Sequence, residues 1–377
     1  DDCADNPLPF RCCAAPLPKQ SQQVYIAAAS DPLQAAPGHT PDRTPSTQGL
    51  PHAIVLYTGG ATCQDKPGER GGAPSRMENG ELSRALVSEQ PMDCCFHPGA
   101  SLLAGAVITG HVQVFKYEGE ATQRVFDLAA HTESCRAVRF TSEGSLLLSA
   151  SADCSILATD TATGAAAARL ENAHSCGVNT LECIDATVLA SGDDDGTVKL
   201  WDVRQRQAIA SFETHGDFIS DFSYSPDNNA LVASSGDGSI SIYDMAARKL
   251  IAQSEDDADD ELLSVVVLKN GKKLVSGSQE GVILLYSWGY FNDCSDRFPG
   301  HPNSIDALVK FDEDTVITGS SDGLIRILNI LPNKMLGVVG EHDEYPIECL
   351  GAALLRCLLA WLACISLAAQ KEKGLKE

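Results

Sequence analysis

The chain repeats itself. A turn residue recurs as Gly110, Cys154, Gly196, Gly238, Gly281 and Gly323, at intervals of 44, 42, 42, 43 and 42 residues. Asp precedes it four times, as Asp153, Asp195, Asp237 and Asp322. A short alternating run follows each turn, at 111–117, 155–160, 197–202, 239–244, 282–288 and 324–329. Alternation of apolar and polar residues is the period of a strand and predicts one inward and one outward face. A second marker keeps step. His131, His174, His215, His301 and His342 each precede another strand-like run, at intervals of 43, 41, 86 (two periods) and 41. Such units cannot bury their faces alone and must stack on one another. A period just above 40 residues, with a strand closing on Trp-Asp, is that of a blade of a β-propeller. The clearest copy is residues 190–204, Ala-Ser-Gly-Asp-Asp-Asp-Gly-Thr-Val-Lys-Leu-Trp-Asp-Val-Arg.

The recurring polar residues have a physical reason. An Asp in the second-to-third-strand turn can accept from backbone amides and from the His of the outer connection, and a strand-two Ser or Thr and a strand-three Trp can extend the chain of bonds. One unit has all four, His174, Ser191, Asp195 and Trp201. Others keep three: His131, Ser149 and Asp153, then His301, Thr318 and Asp322. His215 and Asp237 mark a further unit. Read as catalysis, these would be Ser-His-Asp triads. Read as structure, they lock blades, which their recurrence favours, since an active site would occur once. No catalytic residue is assigned. The sequence also lacks a phosphate-binding Gly-rich loop, a His-Glu-x-x-His and a nucleophile elbow.

The two ends and the charge set the other bounds. Thirteen of the 18 prolines lie in residues 1–98. Proline at that density removes backbone donors, so residues 1–90 read as a disordered Pro/Gly/Ala-rich leader, with the apolar run 53–57 too isolated to seed a core. The chain opens on Asp-Asp-Cys-Ala-Asp, without the features of a secretory signal. The propeller is expected over 91–350. Residues 351–377 read as a divergent apolar helical tail. A helix covering an open sheet edge, or simply a divergent end, is preferred to a membrane anchor, because the run is short and carries Arg356. A net charge of −23 repels phosphate backbones, so no direct nucleic-acid contact is expected. The acidic run 254–261 lacks the Gly and spacing of a Ca²⁺ loop and reads as a solvated connection. The 14 cysteines show no zinc spacing and read as small buried hydrophobes in a reducing compartment. No metal and no cofactor is expected.

Several segments are more specific than the repeat. Residues 135–139 (Cys-Arg-Ala-Val-Arg), 150–160, 262–267 with Lys269-Asn270-Gly271, 285–289 with 293–298, and 330–334 (Ile-Leu-Pro-Asn-Lys) resemble the WD repeat-containing protein 55 family, its plant and green-lineage members in particular. The likeness covers about residues 92–350 and stops short of the leader and the tail. It implies a seven-bladed WD-repeat propeller, here with an incomplete or aberrant last blade, since neither end offers an evident closing strand. It also implies a non-enzymatic scaffold. In plant members that scaffold is a candidate substrate receptor for the DNA-damage-binding adaptor of cullin-4 ubiquitin ligases. The alternative it implies is a nucleolar factor of ribosome biogenesis and rRNA processing, with pre-ribosomal particles as partners. Nucleus and nucleolus are the expected locations, with the cytoplasm as a further one. Cullin-4 receptors often carry Trp-Asp-x-Arg at a blade end. Here it stands once, as Trp201-Asp202-Val203-Arg204, which makes Trp201, Asp202 and Arg204 the expected partner-binding residues.

Overall fold

Strands are the only regular elements among the described residues, which are 25–28, 53–58, 80–87, 89–118, 121–255, 260–342 and 346–353 of a computed structural model. Three precede the repeat: β1 (Tyr25–Ala28), β2 (Ala53–Thr58) and β3 (Gly80–Leu86). Six consecutive four-stranded blades follow. The first is β4 (Pro91–Phe96), β5 (Leu102–Val107), β6 (His111–Glu118) and β7 (Ala121–Ala129). The second is β8 (Cys135–Phe140), β9 (Leu146–Ser151), β10 (Ile156–Asp160) and β11 (Ala166–Leu170). The third is β12 (Val178–Cys183), β13 (Val188–Asp193), β14 (Thr197–Asp202) and β15 (Gln207–Glu213). The fourth is β16 (Ile219–Ser225), β17 (Ala230–Ser235), β18 (Ile240–Asp244) and β19 (Lys249–Gln253). The fifth is β20 (Leu262–Leu268), β21 (Lys273–Ser278), β22 (Val282–Ser287) and β23 (Asp296–Pro299). The sixth is β24 (Ile305–Lys310), β25 (Thr315–Ser320), β26 (Leu324–Asn329) and β27 (Lys334–Glu341). Each blade is an antiparallel meander. Its first strand lies against the first strand of the next blade, so β4, β8, β12, β16, β20 and β24 surround an axis.

The alternation predicted from sequence is present, but it does not separate core from solvent. Successive residues of a middle strand point to the two neighbouring blades. Leu147 and Leu157 pack with Ala104, Val112 and Val114 of the first blade. Their neighbours Leu148, Ile156 and Ala158 pack with Val178, Leu181 and Trp201 of the third. The same division sends Ala190, Val198 and Leu200 against Ile219, Phe222 and Tyr243. Both faces are therefore apolar, and β17 and β25 are buried at every position. Only the outer strands, such as β7 and β19, face water along most of their length.

The ends depart from expectation. A remaining four-stranded sheet has the order β28-β1-β2-β3, where β28 is Leu350–Ala353. β1 pairs with β28, joining Tyr25 to Ala353 and Ala28 to Leu350. The stretch 1–90, expected as a leader without regular structure, thus supplies three strands, and the apolar run 53–57 is β2. Density of proline misleads here because the prolines of residues 1–90 fall outside β1, β2 and β3. Of the tail read as helix, residues 351–353 are strand, and 354–377 lie outside the described residues. So do 256–259 of the acidic run. β28 lies against both β4 and β24. At that seam Cys94 and Cys349 are buried with their sulfurs 3.5 Å apart.

The periodic turns are as tight as their glycines suggest. Gly196 has φ +77°, and a Cβ there would meet the carbonyl oxygen of His215 at 2.5 Å. Gly196→Ala therefore adds left-handed strain to a clash with the next connection. Its cost is expected to be at least about 1 kcal/mol in urea denaturation, and an unchanged midpoint would refute the requirement.

Candidate functional site

The third blade carries the fullest polar lock. Trp201 Nε1 donates to Ser191 Oγ (2.8 Å), Ser191 bonds His174 Nε2 (2.6 Å), and His174 Nδ1 meets Asp193 Oδ2 at 2.7 Å. One tautomer satisfies the chain: Ser191 donates to Nε2, and Nδ1–H donates to the carboxylate. The acid is Asp193, not Asp195 as the repeat spacing predicted. Asp193 Oδ1 also accepts from the amides of Asp195 and Thr197, at 3.1 and 2.7 Å. Other blades divide this work. Ser151 and Ser235 stand where Asp193 does and accept the amide of the turn Asp, and that Asp reaches the His. An Asp at the earlier position performs both tasks, and Asp195 is left over.

In the second blade the three marker residues meet. His131 Nε2 is 2.9 Å from Ser149 Oγ, and Nδ1 is 3.2 Å from Asp153. Burial opposes ionisation of Asp153, yet bonds from Ser155 and the Thr132 amide hold its carboxyl near 2. Burial likewise pushes the His131 imidazole down. In the fourth blade His215 Nδ1 does meet Asp237 (3.0 Å) and Ser239 (3.0 Å), but the hydroxyl at Nε2 is that of Ser241 on the third strand, at 2.7 Å, where strand two was expected to supply it. Ser241 is in turn hydrogen-bonded to Tyr243 (2.9 Å), and Tyr243 to Thr214 (2.7 Å). The sixth blade breaks the pattern. His301 reaches Thr318 (2.8 Å), but Asp322 is taken by Arg326. A guanidinium outbids a neutral imidazole for a carboxylate because both its bonds are charge-assisted. Burial and the Arg326 charge push the His301 imidazole down to about 4, and its Nδ1 has no hydrogen bond. Arg326 occupies the third-strand position of Ser241, which is the signal the sequence held for this exchange.

These hydroxyls cannot serve as nucleophiles. Ser149, Ser191, Ser241 and Thr318 are all 1% exposed or less, and a nucleophile must reach its substrate. The sets are blade locks.

The expected partner-binding trio separates. Trp201 and Asp202 are buried, and Asp202 accepts from the amides of Arg204 and Gln205, fixing the turn. Arg204 alone is presented, with its side chain 70% exposed. Its guanidinium rests 3.3 Å from Asp202 Oδ2, a contact exposed enough to exchange at little cost. It stands at the face where the third strands end.

Along the axis lies a polar cavity of about 170 Å³, reached by side chains of all six blades and by Glu348, Cys349 and Leu350. Arg139 bonds Asp93 there and lies within the field of Glu182 and Asp221. One guanidinium cannot compensate three carboxylates. Burial raises Glu182 to about 7 although Arg139 opposes it, and burial raises Asp221 to about 6. At the end opposite Arg204, Arg136 binds Asp194 (2.7 Å) and Asn179 (2.5 Å). Among the described residues no cluster of His, Cys, Asp and Glu could hold a metal ion, and no helix is long and apolar enough to cross a membrane.

Two outcomes are expected. Asp193→Asn loses the lock and destabilises by about 2–4 kcal/mol in chemical denaturation, whereas Asp195→Asn stays within about 0.5 kcal/mol; the reverse order would restore the spacing-based assignment. Glu182 binds its proton more tightly folded, near 7, than unfolded, near the ordinary 4.5, so stability falls as pH rises between those values. Glu182→Gln removes that loss. Its melting temperature relative to the unsubstituted chain is expected to climb from pH 5 to pH 8, and a pH-independent difference would contradict the shift.

Comparison with known proteins places this arrangement. The WDR55 family model matches residues 84–365, past Leu350, where the likeness had been expected to end. WD repeat-containing protein 55 of Arabidopsis thaliana is 51% identical over 255 residues, 67% of this chain and 72% of that protein. The WD repeat-containing protein 55 homolog of Dictyostelium discoideum is 42% identical over 258 residues, 68% of this chain and 62% of that protein. Human WD repeat-containing protein 55 is 38% identical over 300 residues, 76% and 77% of the two chains.

Proposed function

This chain belongs to the WD repeat-containing protein 55 family, and from that premise we propose that it is a non-enzymatic protein-interaction scaffold. It acts in the nucleus and nucleolus as a substrate receptor, binding the DNA-damage-binding adaptor of a cullin-4 ubiquitin ligase. The observation that carries the reading is the posture of Arg204. Trp201 and Asp202 are committed to the blade, and the Asp202 carboxylate pins the turn from which the guanidinium extends into solvent. A planar fork held at a rim suits a carboxylate or carbonyl of a partner. The equivalent turn of the second blade reads Thr159-Asp160-Thr161-Ala162, and that of the fourth Tyr243-Asp244-Met245-Ala246, so the docking point belongs to one blade.

The scaffold reading includes its closure. The sheet β28-β1-β2-β3 is the seventh blade, completing the ring between β24 and β4. Closure covers the two apolar blade faces, one on the first blade and one on the sixth, that an open array would present.

The test is adaptor pulldown with Arg204→Ala. Retention is expected to fall at least about tenfold, the scale of a lost charge-assisted contact at an interface. Because the side chain is exposed, the melting temperature should not move. Undiminished binding would remove Arg204 from the interface.

A further inference from the structure

We propose that the mouth of the axial channel, on the face opposite Arg204, is a socket for one cationic side chain, Lys or Arg, carried by an extended segment of a protein partner.

The mouth is a cavity of about 360 Å³ bounded by the third, fourth, fifth and sixth blades. Two carboxylates line it, Asp194 and Asp306. They differ in what they already hold. Asp194 is neutralised by Arg136 at 2.7 and 2.9 Å and accepts from Asn179 at 2.8 Å. Asp306 accepts from the Ser304 hydroxyl (3.0 Å), and no Lys, Arg or His is bonded to it among the described residues. Burial raises its carboxyl to about 6, which is the behaviour of a charge removed from water without a counter-ion. A cation delivered from outside would supply that counter-ion.

The wall beside Asp306 suits the rest of such a side chain. Leu263 and Phe218 line the same cavity. The Phe218 ring is seated on Gly236, where a Cβ would come within 2.4 Å of it. The Asp217 carboxylate accepts the Phe218 amide at 2.7 Å, further fixing the ring's connection. Lys and Arg bury apolar stems and hold their charge at the tip, and a guanidinium also stacks on an aromatic face. The mouth adjoins the inner cavity, because Asn179, Ser220, Leu263 and Asp306 line both. Charge complementarity selects the partner: at −23 the chain favours basic protein segments and disfavours nucleic acid. Strand β14 runs from the Asp194–Gly196 turn to Arg204, so the mouth and the rim arginine sit at opposite ends of one blade. A client at the mouth and an adaptor at the rim would not compete, and the socket does not depend on the adaptor reading.

The test uses the full chain and a fluorescein-labelled, C-terminally amidated peptide, Gly-Ser-Arg-Ser-Gly, against the same peptide with citrulline for Arg. Citrulline keeps the shape and removes the charge. Anisotropy is expected to show at least tenfold weaker binding of the citrulline peptide. Asp306→Asn should abolish that difference without lowering the melting temperature. Glu143→Gln, which removes the same unit of charge from an exposed turn at the Arg204 end, should preserve it. Equal binding of the two peptides, no binding of the arginine peptide up to millimolar concentration, or full discrimination by Asp306→Asn would each overturn the proposal. If Asp306→Asn fails to fold, Asp306→Ser takes its place with the same loss of discrimination expected, and full discrimination by that variant overturns the proposal.

Discussion

The second to fifth blades are each clamped between two others, and most of the rest follows from that clamp. A sheet with one wet face can leave its polar groups to water. A sheet with two dry faces cannot. Leu147 and Leu148, adjacent in β9, are committed to different neighbours, so a polar atom left unpaired on either face is costly. The chain must nevertheless turn at each end of each strand. The His-centred locks are the solution: they carry the hydrogen bonds of the turns into the sheet and end them on hydroxyls that are themselves enclosed. Their variation from blade to blade shows that the requirement is satisfaction of the buried groups, by whichever residues can reach. Asp193 does the work of two residues, Ser241 substitutes for a strand-two hydroxyl, and Arg326 takes the carboxylate that His301 lacks.

The same clamp divides the surface into regions with different freedom. The blade faces are spent on packing. The outer strands are exposed but regular. Only the two rims and the axis are open to specialise. At one rim the turn after Trp201-Asp202 offers a single extended guanidinium, and at the other the channel mouth offers an aromatic wall and a carboxylate without a cation. The axis between them concentrates acid around Arg139. The two features stand at opposite ends of one blade, separated by the length of a strand.

How much of this the sequence shows depends on whether a feature repeats. The period, the turn glycines, the third strands of the blades and the family likeness are all legible, because each recurs or matches over many residues. The partner of His174 was misplaced because spacing alone cannot separate Asp193 from Asp195: both are acidic, and they differ by one strand-end geometry. The Asp322–Arg326 pair is not legible from the repeat, because Arg326 stands in one blade and does not recur with the His markers. The three early strands were hidden by the prolines around them. The channel residues Glu182, Asp221 and Asp306 lie on three separate inner strands, and nothing local links them before the ring brings them round one axis.

The pairing of β1 with β28 sets a timetable for biogenesis. Residues 25–28 are made some 320 residues before their partner, 350–353. For most of synthesis the sheet that begins with β1 has an edge and no strand to cover it, while the six intervening blades are already long enough to stack. A nascent chain in this condition presents a ready template for strand exchange with a sister copy on the same message. Loss of residues 350–353 would leave β1 without its partner and its edge open to pairing with another chain.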